Sequence, residues 1–178
     1  MEGSPMTTES KGIPTRMIVM GVAGSGKSSV GEALAARLDA TYLDGDALHS
    51  PANIDKMSRG VPLTDADRLP WLREIGHHLR GNDGRRIIGC SALKRTYRET
   101  ITIEAGQPIL FIYLAGSIDV IARRMAGRVG HFMPTNLLNS QFATLEEPGN
   151  DENAIYIDID QSRDCLVDQA IRLLKAAR

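Results

Sequence analysis

Short apolar runs alternate with amphipathic stretches along this chain. The runs occupy residues 17–20, 41–43, 87–90, 109–114 and 154–157. They are apolar at consecutive positions, not alternate ones, which is typical of strands covered on both faces in a parallel sheet. After the first run, Val30, Leu34 and Leu38 recur at the spacing of one helix face. The pattern predicts an α/β fold of three layers, in which helices cover both faces of a five-stranded parallel sheet.

Length and composition predict a single domain. The chain has 178 residues, of which 42% are hydrophobic and 24% charged, as expected of one globular unit. Residues 1–15 are rich in Ser, Thr, Gly and Pro and lack the apolar block of a secretory signal, so we interpret them as a flexible lead-in to a domain over residues 16–178. No apolar run approaches the length of a membrane span. The cytoplasm is the expected location.

Charge and cysteine content narrow the expected partners. The net charge of −1 gives no general attraction to nucleic acid or to a membrane, which leaves a small anion as the expected partner. The two cysteines, Cys90 and Cys165, show no C-x-x-C spacing that would indicate zinc or redox chemistry. Both are predicted to be core thiols.

The most specific motif directly follows the first apolar run. Residues 21–28 match G-x-x-x-x-G-K-[ST], the phosphate-binding loop. Its glycines let successive backbone N–H groups turn toward phosphate oxygens, and the following helix directs its positive end to the same place. The motif predicts that Lys27 contacts the β- and γ-phosphates and that the Ser28 hydroxyl ligates Mg²⁺. The residues expected to contact the nucleotide are Gly21, Ala23, Gly24, Ser25, Gly26, Lys27, Ser28 and Ser29.

Two carboxylates, Asp44 and Asp46, follow the second run with one glycine between them. Because ligands bind at the carboxyl ends of parallel strands, we expect both to face the phosphate loop. Phosphoryl transfer to a hydroxyl needs an anchor for Mg²⁺ and an acceptor that orients the attacking O–H, and two carboxylates can supply both. The alternative is that Asp-Gly-Asp is only turn chemistry.

A helical insert, predicted at about residues 48–80, would form one wall of a pocket for the phosphate acceptor. Thr64 is the predicted N-cap of a helix with acidic residues in its first turn. Arg68 is the cation of the insert that we single out. His49 stands at the start of the insert, where a structural and a binding role are both open.

The third run is followed by Ser91 and Lys94, not by the acidic residue that usually completes a magnesium site in phosphate-loop proteins. Its absence assigns the metal-anchoring role to Asp44. Lys94 and Arg98 are four residues apart, so we predict that they share a helix face as a pair suited to a carboxylate or phosphate. Plain solvated charge is the alternative.

A further helix is predicted over residues 119–128, carrying Arg124 and Arg128 on one face. It ends in a segment that contains Gly and Pro, which suits a lid at about residues 124–134 that closes over the phosphates and stabilises charge in the transition state. Gln161 follows the fifth run and is expected to line the adenine side of the nucleotide site.

Together these segments resemble the gluconokinases, phosphate-loop carbohydrate kinases related to shikimate kinase and the nucleoside monophosphate kinases. The resemblance runs from about residue 16 to the C-terminus. It is carried by the phosphate loop, by D-G-D-x-L-H at residues 44–49, by Asp65, by C-S-A-L-K at 90–94 with Tyr97-Arg98, and by later pairs such as Gln141-Phe142 and Glu147-Pro148. The phosphate loop occurs in many families, whereas the D-G-D-x-L-H and C-S-A-L-K segments together are far more restrictive.

The resemblance implies a P-loop NTPase fold of the nucleoside monophosphate kinase type. It also implies transfer of the γ-phosphate of ATP to the terminal hydroxyl of D-gluconate, giving 6-phospho-D-gluconate for the pentose phosphate pathway, with Mg²⁺ required and a homodimer expected. Asp46 would then orient the gluconate hydroxyl, and Asp44 would hold Mg²⁺ with Ser28. The other residues assigned on this basis are Lys27 and Arg128 for catalysis, Arg124 and Gln161 for the nucleotide, and His49, Arg68, Lys94, Arg98 and His131 for gluconate.

Two other functions remain open at this point. One is a kinase for a different small acceptor, such as shikimate or a nucleotide, although the acceptor segments argue against both. The other is a nucleotide-dependent switch protein. Such a protein would carry a guanine-reading N-K-x-D tetrapeptide, and none occurs in this sequence.

Overall fold

The computed structural model describes residues 12–128 and 135–177. Its centre is a parallel five-stranded sheet in the order β2-β3-β1-β4-β5. The strands are β1 (Arg16–Met20), β2 (Ala40–Asp44), β3 (Arg85–Gly89), β4 (Leu110–Ala115) and β5 (Ala154–Asp158). Each coincides with a predicted run to within two residues at either end. The predicted sheet is confirmed.

Helices cover both faces of this sheet. They are α1 (Lys27–Leu38), α2 (Pro51–Ser58), α3 (Asp65–His78), α4 (Arg95–Ala105), α5 (Ile118–Ala126), α6 (Thr135–Thr144) and α7 (Arg163–Ala176), with a 3₁₀ turn at Gly45–Leu48. Among the described helices, none combines the length and apolarity that crossing a bilayer requires.

The core consists of two clusters, one on each face of the sheet. Met17 and Val19 of β1 point to the face covered by α1 and α7, whereas Ile18 and Met20 point to the face covered by α3 and α4. Successive residues of a strand face opposite sides, so a strand buried on both sides must be apolar throughout. This confirms the three-layer α/β/α prediction.

The two cysteines differ in exposure. Cys90 is buried directly after β3, as predicted, but Cys165 is exposed. The prediction that Cys165 is a core thiol is wrong, because this residue lies in the first turn of α7, where its N–H is capped by the Ser162 hydroxyl. The apolar stripe of that helix begins one residue later, at Leu166.

Between β2 and β3, α2 and α3 are joined by polar contacts. Thr64 is the N-cap of α3, as predicted, and it forms a capping box in which Thr64 and Asp67 each bind the backbone N–H of the other. Lys56 of α2 donates to the same Asp67 carboxylate over 2.8 Å. Lys56 and the capping box lower the pKa of Asp67 to about 2. The indole N–H of Trp71 donates to the Gly45 carbonyl over 2.8 Å, so α3 is attached to the end of β2.

Candidate active site

The loop between β1 and α1 has the conformation that a phosphate site needs. Gly24 and Gly26 have φ values of 79° and 97°, in the left-handed region that favours glycine. Gly26 is the N-cap of α1 and provides no side-chain acceptor for the N–H groups of the first turn. Those groups, together with the positive end of the helix dipole, are therefore available to an anion.

A cavity of about 550 Å³ opens beside this loop. It is lined by Ala23, Gly24, Gly26, Lys27, Ser28, Ser29, Glu32, Tyr42, Asp44, Asp46, Gly89 and Arg128. The fold thus brings the phosphate loop, the end of β2 and the segment after α5 to one place. Six of the eight loop residues expected to contact the nucleotide lie on this wall.

The other two loop residues, Gly21 and Ser25, do not line the cavity. The N–H of Gly21 donates to the Ser91 carbonyl over 3.3 Å, and that of Ser25 donates to the Val22 carbonyl over 3.2 Å. The Ser25 side chain is fully buried. A side chain at position 21 would clash with it, since a Cβ there would stand 2.8 Å from the Ser25 hydroxyl oxygen. These two residues shape the loop, and their contact with the nucleotide stays a prediction.

The side-chain ammonium of Lys27 is bound by backbone carbonyls at the start of the loop. Its Nζ donates to the carbonyls of Gly21 and Val22, each over 3.1 Å. Burial lowers the pKa of Lys27, and the carboxylates of Asp46 and Asp44 oppose that shift. The ammonium is therefore within electrostatic range of both carboxylates. It is also partly removed from water, which strengthens its attraction for a phosphate.

The Asp-Gly-Asp segment is both a turn and part of the cavity wall. The Asp44 carboxylate accepts the backbone N–H of Asp46 over 3.0 Å and so caps the 3₁₀ turn. Gly45 is required by a close approach, since a Cβ there would lie 2.5 Å from the carbonyl oxygen of Gly89. The segment can therefore form a turn and contribute to the site at the same time, since Asp44 and Asp46 both line the cavity.

His49 lies next to these carboxylates on the insert. Its ring stacks on Trp71, with centroids 4.1 Å apart and planes inclined by 16°. Burial lowers the pKa of His49; the carboxylate of Asp46 opposes this shift and the guanidinium of Arg68 adds to it. Burial thus favours the neutral form of His49, which lies within electrostatic range of both Asp46 and Arg68.

Arg68 and Lys94 meet at the ring of Tyr97. The Arg68 guanidinium lies 5.8 Å and the Lys94 ammonium 5.6 Å from its centroid, within range of cation–π attraction. Asp65 accepts from Lys94 over 3.0 Å and from the Tyr97 hydroxyl, and these two bonds lower the pKa of its carboxyl. We call Asp65, Arg68, Lys94 and Tyr97 the Tyr97 cluster. With two cations and one carboxylate, it carries an excess positive charge.

No role was predicted for Asp65 or Tyr97 from the sequence. Both lie within the segments that carry the family resemblance, at the start of α3 and early in α4. The resemblance therefore pointed to both residues. It did not reveal their hydrogen bond, because the two residues are 32 positions apart in the sequence.

Arg98 does not join Lys94, and the prediction that they share a helix face is wrong. Lys94 is the N-cap of α4 with extended backbone, so helical spacing does not apply to it. Arg98 is 1% exposed and forms a bidentate ion pair with Glu152 at 2.6 and 2.9 Å. Its remaining Nη1 donates to the Ala92 carbonyl over 2.9 Å. These contacts correct its assignment from gluconate binding to structure.

We therefore expect Arg98→Ala to lower the free energy of unfolding by about 3 kcal/mol, because it leaves the Glu152 carboxylate, 11% exposed, without its counter-charge. Urea denaturation followed by circular dichroism would measure this. Adding Glu152→Gln to the same chain should restore part of the loss. A stable Arg98→Ala protein with a raised KM for the acceptor alone would return Arg98 to the binding site.

On the other side of the loop, Arg124 and Gln161 line one cavity of about 290 Å³ between α5 and the segment after β5. The Arg124 guanidinium donates to the Ile159 carbonyl over 2.8 Å. Arg128 lies beyond α5, which ends at Ala126, so the prediction that Arg124 and Arg128 share a helix face is wrong. Arg128 nevertheless lines the phosphate cavity. His131 and positions 129–134 of the predicted lid lie outside the described residues.

A larger concavity, of about 800 Å³, lies beside β5 and is lined in part by Gly116, Phe142 and Tyr156. It contains none of the predicted site residues. The smaller cavity at the phosphate loop is the candidate site because it combines a helix N-terminus, a lysine and two carboxylates.

Comparison with known proteins gave similarities over more than nine-tenths of the chain. No protein-family model matches it. A gluconokinase from Gluconobacter oxydans (strain 621H) is 45% identical over 168 residues, which cover 92% of this chain and 93% of that protein. The crystal structure of a gluconokinase from Sinorhizobium meliloti 1021 has a TM-score of 0.87 at 45% identity, covering 94% of this chain and 95% of that one.

A shikimate kinase from Bacteroides thetaiotaomicron is similar in fold alone. Its crystal structure has a TM-score of 0.63 at 16% identity and covers 90% of this chain and 98% of that one. The chain thus has the architecture of phosphate-loop kinases in general, with much higher sequence identity to one group of them.

Proposed function

This chain belongs to the gluconokinase family, and from that premise we propose that it transfers the γ-phosphate of ATP to D-gluconate, giving 6-phospho-D-gluconate. The observation that carries the proposal is a single cavity that contains the phosphate loop, Lys27 and Asp46. Phosphoryl transfer requires little covalent chemistry from the protein, so catalysis rests on positioning and on charge stabilisation. The cavity offers both.

The phosphoryl donor would be bound by the loop and the start of α1. The N–H groups of the first helical turn and the Lys27 ammonium bind phosphate oxygens. Arg128 lines the same cavity and would offset the charge that spreads over the transferred group. Arg124 and Gln161 would contact the nucleotide on the adenine side, in the cavity that they share.

Asp46 would accept a hydrogen bond from the terminal hydroxyl of gluconate and direct its oxygen at the γ-phosphate. The Tyr97 cluster would bind the gluconate carboxylate, since its two cations share only one carboxylate, that of Asp65. Arg68 and Lys94 are each 31% exposed, so they are accessible to such a ligand. His49, within electrostatic range of Asp46 and Arg68, would form hydrogen bonds with the gluconate hydroxyls that lie between the carboxylate and the terminal hydroxyl.

Mg²⁺ fits the residues of the phosphate cavity. Asp44 and Ser28, which offer a carboxylate and a hydroxyl oxygen, both line it. The described part of the chain contains no cluster of three His, Cys, Asp or Glu side chains that would form a closed metal site. A hard cation held by few side chains, its own waters and substrate phosphates matches this arrangement. When bound, Mg²⁺ neutralises phosphate charge.

We further propose that the enzyme acts in the cytoplasm as a homodimer, as the resemblance to gluconokinases implies. Free thiols at Cys90 and Cys165 are compatible with a reducing compartment. Light scattering of the purified protein would measure the oligomeric state.

The proposed reaction is tested by ADP release from the purified protein with ATP and a series of acceptors. We expect the rate with D-gluconate to exceed that with shikimate by roughly a hundredfold or more, because a site built to bind several hydroxyls and one carboxylate discriminates against an acceptor with fewer hydroxyls. Reactions without acceptor give the background. Equal rates with gluconate and shikimate would contradict the proposal.

A further inference from the structure

One hydrogen bond of the phosphate loop comes from a residue far along the chain. The backbone N–H of Ala23 donates to Oε1 of Gln141 over 2.6 Å. Gln141 lies in α6, is half-buried, and belongs to a segment that the family resemblance included without a role. Neither the assigned nucleotide residues nor the acceptor residues include it.

This bond acts on the same peptide unit that holds Lys27. The N–H of Ala23 and the C=O of Val22 belong to one rigid plane. The Val22 carbonyl accepts from Lys27 Nζ over 3.1 Å, while the N–H on the opposite side donates to Gln141. Fixing either end fixes the other, so Gln141, together with the N–H of Ser25, orients one of the two carbonyls that bind the Lys27 ammonium.

The helix that carries Gln141 is itself held by contacts with the segment that carries Lys94, one of the residues proposed to bind gluconate. The segment after α6, residues 145–152, binds the start of α4, where the N–H of Glu146 donates to the Leu93 carbonyl over 2.8 Å. The Glu146 carboxylate accepts the N–H of Arg95, also over 2.8 Å. The buried pair of Arg98 and Glu152 joins the same two segments. Through these contacts, α6 is held against the segment that carries Lys94.

We propose that Gln141 is a positioning residue for phosphoryl transfer. Through its bond to Ala23, it holds the part of the loop that binds the γ-phosphate in place relative to the residues that bind gluconate. The inference rests on the proposed function, since it concerns the phosphate that is transferred. A lysine in such a loop reaches the β- and γ-phosphates, and Ala23 directly follows the carbonyl that holds it. The effect of Gln141 is therefore greatest on the γ-phosphate.

The test compares the Kd of ADP with that of a non-hydrolysable ATP analogue, measured calorimetrically without acceptor. Gln141→Met keeps the length of the side chain but loses the amide acceptor. We expect it to raise the Kd of the ATP analogue relative to that of ADP by roughly five- to tenfold, the effect of one hydrogen bond, and to lower kcat on the order of tenfold. Gln141→Glu keeps an acceptor oxygen, so it should retain the Tm and the ADP affinity of the wild type, while its charge opposes the γ-phosphate and weakens the analogue.

The matched control is Gln107→Met. The Gln107 carboxamide also binds backbone, donating to the carbonyls of Leu79 and Gly81 over 2.8 and 3.0 Å. Its replacement by methionine should leave the ratio of the two Kd values unchanged. An equal change for both nucleotides in Gln141→Met, or wild-type analogue affinity in both Gln141 variants, would overturn the inference while gluconate-dependent ADP release stands. A wild-type protein that binds neither nucleotide would overturn the proposed function as well.

Discussion

Replacing Lys27 with alanine is expected to lower kcat by about a thousandfold or more, because one charge contact to the transferred phosphate in a closed site contributes several kcal/mol to transition-state stabilisation. The measurement is gluconate-dependent ADP release at saturating substrates. Lys27 is the one lysine on the wall of the phosphate cavity within the described residues, and Arg128, the other cation on that wall, has a separate proposed role at the transferred group.

The free protein should not lose stability in Lys27→Ala. Burial lowers the pKa of Lys27, so desolvation disfavours its charged form in the folded protein, and relief of that penalty should offset the loss of its two backbone hydrogen bonds. Circular dichroism and Tm should therefore match the wild type. Lys175→Ala, at an exposed position late in α7, is the matched control and should keep full activity. Near-normal kcat in a folded Lys27→Ala protein would contradict the assignment of this residue.

Asp46→Asn is expected to lower kcat by about a hundredfold to ten-thousandfold with little change in the Kd of ATP, because the amide cannot accept the hydroxyl proton. The turn should survive the change. Its cap is the carboxylate of Asp44, and Asp46 contributes only backbone groups, an N–H to Asp44 and a carbonyl to the N–H of His49, which asparagine retains. The comparison of kcat with nucleotide Kd therefore reports on the hydroxyl contact and not on a damaged turn.

Asp44→Asn provides the contrast for this experiment. An asparagine oxygen can still accept the N–H of residue 46, so the turn is kept, but the negative charge proposed to anchor hydrated Mg²⁺ is lost. The Mg²⁺ concentration for half-maximal rate should rise in this variant and stay unchanged in Asp46→Asn. The opposite pattern would mean that the two carboxylates have exchanged roles.

The sequence alone was sufficient for the sheet and for the phosphate half of the site. A strand buried on both faces has to be apolar at every position, so runs such as residues 109–114 are visible without any knowledge of partners. The loop is equally local, because left-handed backbone at Gly24 and Gly26 requires glycine. Asp44 and Asp46 followed from the rule that strand ends share one edge of the sheet. The strands and the loop are determined by neighbours along the chain, and the place of the two carboxylates by the general geometry of a parallel sheet.

Tertiary structure decided which charges meet. Arg98 and Lys94 looked equivalent in the sequence, but Arg98 pairs with Glu152, 54 residues away, and Lys94 turns to Asp65 and Tyr97. The partner of Ala23 is 118 residues distant. Spacing along a helix specifies only the face on which a side chain lies. Which side chain opposes it depends on how helices pack across the sheet, and no local pattern records that packing.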